Sequence, residues 1–290
     1  MSGGVILSDE ACILGEGPTY DAATDTLYWF DILESRMLTR KLSGGETVIH
    51  QFQEMASAIA TIDAERQLLV TETGLHMRDA RTGKLSPHMS VEASNAGTRS
   101  NDARVHPCGA LWFSTMGKKA EAGAGAIYWY FRGEVRLLYP AITIPNSICF
   151  SADGSVGYYA DTAQNLLYRV DCDADTGLPT GEPKLFVDGR ARGGGIDGSV
   201  VDLNGTLWNA VWGGARVDAY APDGTLVRSV AVPVSQPSCP AFVGANADRM
   251  VVTSAWEHMD AAARAADPHA GKTFLLDIEV NGRHEPNVLI

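Results

Sequence analysis

An all-β fold, a six-bladed β-propeller with four-stranded blades, is predicted for this 290-residue chain. Three observations predict it: an internal repeat, the turn residues that punctuate the repeat, and the near absence of helical periodicity. A turn-like segment followed by an apolar β-type triplet occurs at Leu27-Tyr28-Trp29, Leu68-Leu69-Val70, Leu111-Trp112-Phe113, Val156-Gly157-Tyr158, Leu207-Trp208-Asn209 and Met250-Val251-Val252. Their starts differ by 41, 43, 45, 51 and 43 residues, near the ~40–50-residue period of a propeller blade. A sandwich or barrel gives no reason for that period, whereas radially packed small sheets leave few exposed edges. One domain over residues 1–290 is expected.

Each triplet is followed by a second strand-like run: Arg36–Leu42, Gly74–Ala80, Ala126–Phe131, Asn165–Asp171, Arg216–Tyr220 and Lys272–Glu279. Third runs occur at Thr47–Phe52, Val135–Tyr139, Lys184–Val187 and Thr225–Val232. Asp153-Gly154, Asn204-Gly205, Asp223-Gly224 and Asn281-Gly282 supply tight turns between them, as antiparallel sheets require. The alanine-rich stretch Asp260 to Ala266 is expected to stand outside the blades as a short helix or loop. Two segments could close the ring as the outer strand of the last blade, Val5–Leu7 or Asn287–Ile290.

Composition narrows the function classes. Net charge is −12, and no basic run is longer than a pair such as Lys118-Lys119; no nucleic-acid partner and no anionic membrane is implied. No apolar stretch approaches the ~18 residues needed to span a bilayer, and the first ten residues do not read as a secretory signal. Five cysteines (Cys12, Cys108, Cys149, Cys172 and Cys239) form no CxxC and leave an odd count, which suits reduced thiols and a cytoplasmic location. No protein partner is implied.

The first strand of a propeller blade lines the central channel. Aligning the repeats on Asp21, Asp63, His106, Ser151, Asp202 and Gly244, then stepping back five residues, gives Glu16, Ala58, Asn101, Asn146, Asp197 and Cys239. These side chains are expected to ring the axis at one depth. Two carboxylates and two carboxamides from four blades would then meet, and adjacent carboxylates repel unless a cation lies between them. Oxygen donors with two negative charges suit a hard ion such as Ca²⁺, Mg²⁺ or Mn²⁺, whereas Zn²⁺ more often recruits His or Cys. Polar channel residues often do no more than contact water or form turns. Four in register favour a metal site.

Other signals carry less. Gly193-Gly194-Gly195-Ile196-Asp197-Gly198 matches GxGxxG, but a strand and turn follow where a dinucleotide site needs a helix. The seven histidines show no HExxH spacing, His106 reads as a turn residue, and no serine-nucleophile elbow occurs. The six tryptophans, Trp29, Trp112, Trp208 and Trp256 among them, read as blade packing rather than a ligand cage.

Leu14-Gly15-Glu16-Gly17-Pro18, Arg99-Ser100-Asn101-Asp102, Leu111-Trp112-Phe113-Ser114-Thr115-Met116-Gly117, Pro145-Asn146-Ser147-Ile148 and Gly195-Ile196-Asp197-Gly198, in this order, resemble the senescence-marker-protein/gluconolactonase/regucalcin family. The resemblance covers roughly Ile13 to Glu257. It implies a six-bladed propeller that binds one divalent cation and hydrolyses aldonolactones, with Glu16, Asn146 and Asp197 as metal ligands. Ca²⁺ is the first expectation for the ion, with Zn²⁺, Mn²⁺, Mg²⁺ or Fe²⁺ as alternatives. Arg99, Asn101 and Glu121 are implied as substrate contacts, and Asp197 also as the general base. Tyr20 stands where the family more often has Trp, Ala103 and Ser147 where it has Gly, and Ile196 where it has Pro. These departures bear on which sugar lactone fits.

The expected reaction is metal-assisted ester hydrolysis, the cation stabilising charge that develops on the lactone while Asp197 takes a proton from water. Arg99 and Asn101 would orient the ring. A phosphotriester or aryl-ester hydrolase on the same fold is one rival. A non-catalytic calcium-binding propeller is the other.

Overall fold

The computed structural model describes residues 3–290. Its six sheets each hold four antiparallel strands, with one short helix besides, so the protein is a six-bladed β-propeller. The first blade runs outward through Gly15–Asp21, Thr26–Asp31, Arg36–Lys41 and Val48–Gln51. The next four repeat this order, beginning on the inner strands Ala56–Thr61, Thr98–Val105, Pro145–Phe150 and Gly195–Val201. The sixth blade uses Pro237–Val243, Arg249–Ser254 and Thr273–Leu276, and takes Gly4–Ser8 as its outer strand. The N-terminal candidate therefore closes the ring, pairing Val5 with Leu275 and Ile6 with Phe274.

Burial follows the radial position of each strand. Thr98–Val105, Pro145–Phe150 and Pro237–Val243 are buried at every residue, because each inner strand meets the channel on one side and neighbouring blades on the other. Outer strands lie mostly in solvent, as Leu226–Ala231 does. Apolar clusters fill the wedges between blades: Trp112, Trp129, Ile148, Phe150 and Tyr159 join the third blade to the fourth. Trp208, Val217, Phe242, Val252 and Phe274 join the fifth to the sixth. The Lys272–Glu279 run is shorter than expected, pairing only over Thr273–Leu276. The second blade has an outer strand, Leu85–Ser90, that its mixed sequence did not advertise.

The loops that join second to third strands lie at the channel end where the inner strands begin. The longest of them carries the helix Ala261–Ala266, capped by the Asp260 carboxylate, which accepts from Ala263 N–H. At the opposite end the turns hold as expected; His106 bonds through Nε2 to the Gly154 carbonyl, 2.8 Å away. The C-terminal segment does not add a strand. It crosses this second end and straps the blades together: Leu203 N–H donates to Asn281 O, Gly282 N–H to Ala247 O, and Val288 N–H to Thr61 O. No helix among the described residues is long and apolar enough to cross a membrane.

Candidate active site

Each inner strand slips register against the second strand at a bulge, which bends the chain and re-aims its side chains. Glu16 and Asn146 are the last residues paired before the bulge, opposite Phe30 and Ala160. Asn101 and Asp197 are the first residues inside it. Ala58 lies beyond its bulge, opposite Val70, and Cys239 is the second residue within its own. The six positions therefore do not share one depth, which corrects the expectation from the repeat. A count of five residues is not a fixed distance where the bulges differ. Glu16, Asn101, Asn146 and Asp197 line one cavity of about 540 Å³ together with Arg99. Ala58 faces a second cavity, of about 200 Å³, near the other end of the channel, and Cys239 Sγ lies 3.7 Å from Arg104 Nη2.

Backbone geometry builds these bulges. Gly17 has φ +56° and leaves no room for a Cβ, which would stand 2.0 Å from the Ser57 carbonyl oxygen. Ser147 adopts φ +58°, the left-handed region that favours glycine. Gly198 lets blades approach, since a Cβ would lie 2.4 Å from Cys239 Sγ.

Two carboxylates that sequence reasoning missed fix the strand entries. Asp31 accepts from Ile13 and Leu14 N–H, at 3.0 and 3.1 Å, just ahead of Glu16. Asp161 accepts from Thr143 and Ile144 N–H, at 3.2 and 3.1 Å, just ahead of Asn146. Both end a second strand, so aligning that position across the repeats would have revealed the pair. Thr162 bridges two blades, accepting from Asn146 Nδ2 at 2.9 Å and donating to the Ile196 carbonyl at 2.6 Å. The Asp197 carbonyl accepts from Ser147 Oγ and from Asn209 Nδ2, at 2.5 and 2.9 Å. Asp197 is thus held by its main chain while its carboxylate stays open to the cavity.

The electrostatics are unbalanced. Glu16 and Asp197 are 8% and 5% exposed, and no Lys, Arg or His nitrogen lies within salt-bridge distance of either among the described residues. Burial pushes the Glu16 carboxyl well above its usual range and Asp102 adds to the shift. Burial raises Asp197 likewise, with the Glu16 and Asp102 charges adding to it. Beneath them, burial lifts Asp102 to about 6 although it accepts from Ile148 N–H at 2.7 Å. Arg99 donates through Nη1 to Asn101 Oδ1 at 2.8 Å and to the Ser100 carbonyl, while its buried Nε has no partner. Asn101 Nδ2 donates to Asn146 Oδ1 at 2.8 Å, which links the amide groups of two blades.

Among the described residues no three His, Cys, Asp or Glu side chains gather as a metal-binding group. The donors here are two carboxylates and two amide oxygens. That chemistry fits a hard divalent cation, because unpaired buried carboxylates without a positive partner are costly. Glu121 lies elsewhere: it is exposed in the loop after Met116, and its Oε2 accepts from Lys119 N–H at 3.1 Å. Thr162, Trp212 and Glu257 line the cavity without having been singled out as site residues. Trp212 departs from the expectation that the tryptophans only pack blades; Trp29, Trp112 and Trp208 do so.

A six-bladed propeller with a polar, oxygen-lined cavity at one end of its channel is the class that fold and site define. The chain belongs to the SMP-30/gluconolactonase/LRE-like family, whose model matches residues 14–256. It is 53% identical to a putative sugar lactone lactonase of Rhizobium meliloti (strain 1021), over 98% of this chain and 96% of that protein. It is 36% identical to an L-arabinolactonase of Azospirillum brasilense, over 93% and 90% of the two chains. A calcium-binding protein, regucalcin, from Agrobacterium tumefaciens str. C58 superposes with a TM-score of 0.98, at 48% identity, over 99% and 97% of the chains.

Proposed function

We propose that this chain hydrolyses a sugar lactone to the aldonic acid, using one divalent cation held by Glu16, Asn146 and Asp197. The observation that carries the reading is the meeting of two unpaired buried carboxylates with Asn101, Asn146 and Arg99 in a single cavity. The lactonases among its relatives support the substrate class, and the calcium-binding neighbour supports Ca²⁺ as the ion. When bound, the cation supplies Lewis-acid stabilisation of negative charge on the lactone.

The chain's own residues supply the rest. Asp197, anchored through its carbonyl by Ser147 and Asn209, orients the attacking water and accepts its proton. Water adds to the carbonyl carbon, the endocyclic C–O bond breaks, and the ring oxygen leaves as a hydroxyl, taking up the proton that Asp197 received from the water. Arg99, which lines the cavity, presents its guanidinium to substrate oxygens, and Asn101 joins it in orienting the ring. Glu121 follows the cavity-lining residues Lys118, Lys119 and Ala120 in the chain, and its proposed substrate contact lies at that rim. The five cysteines are all free, in keeping with a cytoplasmic setting.

The test is a lactone panel with gluconolactone, xylonolactone, arabinonolactone and fuconolactone. It is run after chelation and again with Ca²⁺, Zn²⁺, Mn²⁺, Mg²⁺ or Fe²⁺ restored. Cation-dependent turnover is expected. Ion binding without turnover would favour a non-catalytic calcium-binding propeller, and turnover of phosphotriesters or aryl esters alone would favour the other rival.

A further inference from the structure

The cavity is larger than a simple sugar lactone requires. A hexonolactone has twelve heavy atoms, and even at the ~30 Å³ share of one water for each it fills no more than about 360 Å³. The cavity measures about 540 Å³. Its lining also changes character with depth. The floor is polar and buried, formed by Glu16, Arg99, Asn101, Asn146 and Asp197. Nearer the mouth stand the half-buried side chains of Trp212, Ile144 and Glu257, with the exposed Lys118, Lys119 and His258 at the rim and Met116 among the buried lining.

Trp212 ends the strand Leu207–Trp212 and pairs with Gly195, two residues before Asp197. Its side chain packs on the apolar cluster that contains Leu14 and Ala255, and the residue also borders the cavity. A ring fixed in this way offers a rigid flat surface at little entropic cost. The C–H face of a pyranose is apolar and its rim is hydroxylated, so such a surface suits a sugar ring. A wall of this kind is not needed to hold the lactone ring, whose oxygens the polar floor satisfies.

We propose that Trp212, with Ile144 and Met116, forms an outer subsite for a second sugar ring, so that the favoured substrates are aldobionolactones. The inference rests on the lactonase reading and extends it. With C1 of a 1,5-lactone at the floor, C4 lies across the ring and points to the mouth. A 4-O-linked sugar would therefore meet Trp212. Water cleaves only the lactone C–O bond, and the glycosidic bond stays intact.

The experiment compares glucono-1,5-lactone with its 4-O-glucosyl derivative, cellobiono-1,5-lactone, using the full chain with its cation and subtracting spontaneous hydrolysis. The wild type should show kcat/KM about tenfold higher for the disaccharide lactone, mostly through KM. Trp212→Ala should erase that advantage while changing kcat/KM for gluconolactone by less than about threefold, and Trp212→Phe should keep most of it. Hydrolysis of gluconolactone with slower or absent hydrolysis of cellobionolactone would overturn the outer subsite and leave the lactonase reading intact. An equal loss on both substrates in Trp212→Ala, with Trp212→Phe no better, would also overturn it. Failure of both lactones in the wild type would overturn the lactonase reading and the subsite with it.

Discussion

The two ends of the central channel handle buried charge in opposite ways. At the end where the inner strands begin, Glu16 and Asp197 are buried without a cationic partner and Arg99 without an anionic one. At the other end Arg104, 5% exposed, meets Glu285 of the C-terminal strap at 3.1 Å. Burial works against the Arg104 charge, but Glu285 together with other neighbouring groups, Cys239 and Asp102 among them, holds the guanidinium above its usual range. The strap also donates from Arg283 to the Phe150 carbonyl and bonds through His284 to Gly244. One end is balanced by the chain itself. The other keeps its carboxylates without a cationic counterpart, and on the proposed function that difference singles it out as the ligand-binding end.

The comparison can be broken most forcefully at the open end. Asp197→Ala is expected to lower kcat by at least about a thousandfold, roughly 4 kcal/mol of transition-state stabilisation, while leaving the melting temperature unchanged or higher. A fully active variant would remove Asp197 from catalysis. At the closed end the converse applies. Glu285→Ala strands Arg104 without its partner, and loss of one member of a buried pair costs about 3–5 kcal/mol. Glu285 is 22% exposed on its side chain, so about 2–3 kcal/mol is the discounted expectation. Urea denaturation measures it, and Glu285→Ala should leave kcat close to wild type.

Arg99→Ala should mainly raise KM, by about tenfold, because it removes binding that ground and transition states share. A large fall in kcat with unchanged KM would instead assign Arg99 to the transition state. Saturating Ca²⁺ should raise the melting temperature of the wild type by a few degrees, and Glu16→Gln combined with Asp197→Asn should abolish that shift. The smallest effect lies in the turns at the closed end. Hydrogen bonds from Ser151, then from Ser155, hold the Asp153 carboxyl down to about 2. A depressed carboxyl stabilises the fold above its unfolded pKa of about 3.9 and loses that contribution as pH falls towards 2. Asp153→Asn should therefore flatten the decline of melting temperature between about pH 4 and 2.

Much of the fold was legible because blades repeat. The six triplets fall at or near the starts of the six second strands, as at Leu207–Trp212 and Arg249–Ser254, and the turn dipeptides mark the places where strands reverse. The outer strand Leu85–Ser90 was not legible, since a half-exposed edge carries little periodic signal. Ring closure was ambiguous because Val5–Leu7 and the C-terminal residues are both short apolar runs. Only pairing with Thr273–Leu276 distinguishes them.

At the site, Glu16, Asn101, Asn146 and Asp197 could be found by counting along equivalent strands. The same count brought in Ala58 and Cys239, because linear spacing cannot see where a bulge inserts a residue. Thr162 and Asn209 went unnoticed for a different reason. Their roles are hydrogen bonds to carbonyls, and no side-chain pattern records where a carbonyl points.

By itself the amino-acid sequence determined the number of blades, the antiparallel order within them and the oxygen-donor character of the axial residues. These follow from local alternation and turn chemistry repeated six times. The tertiary structure alone decided which end of the channel is left open and which terminus closes the ring. It also decided that Trp212 borders the cavity and that Glu285 neutralises Arg104. Contacts between residues 181 positions apart in the chain depend on how the blades close in space, and neighbouring sequence does not encode that distance.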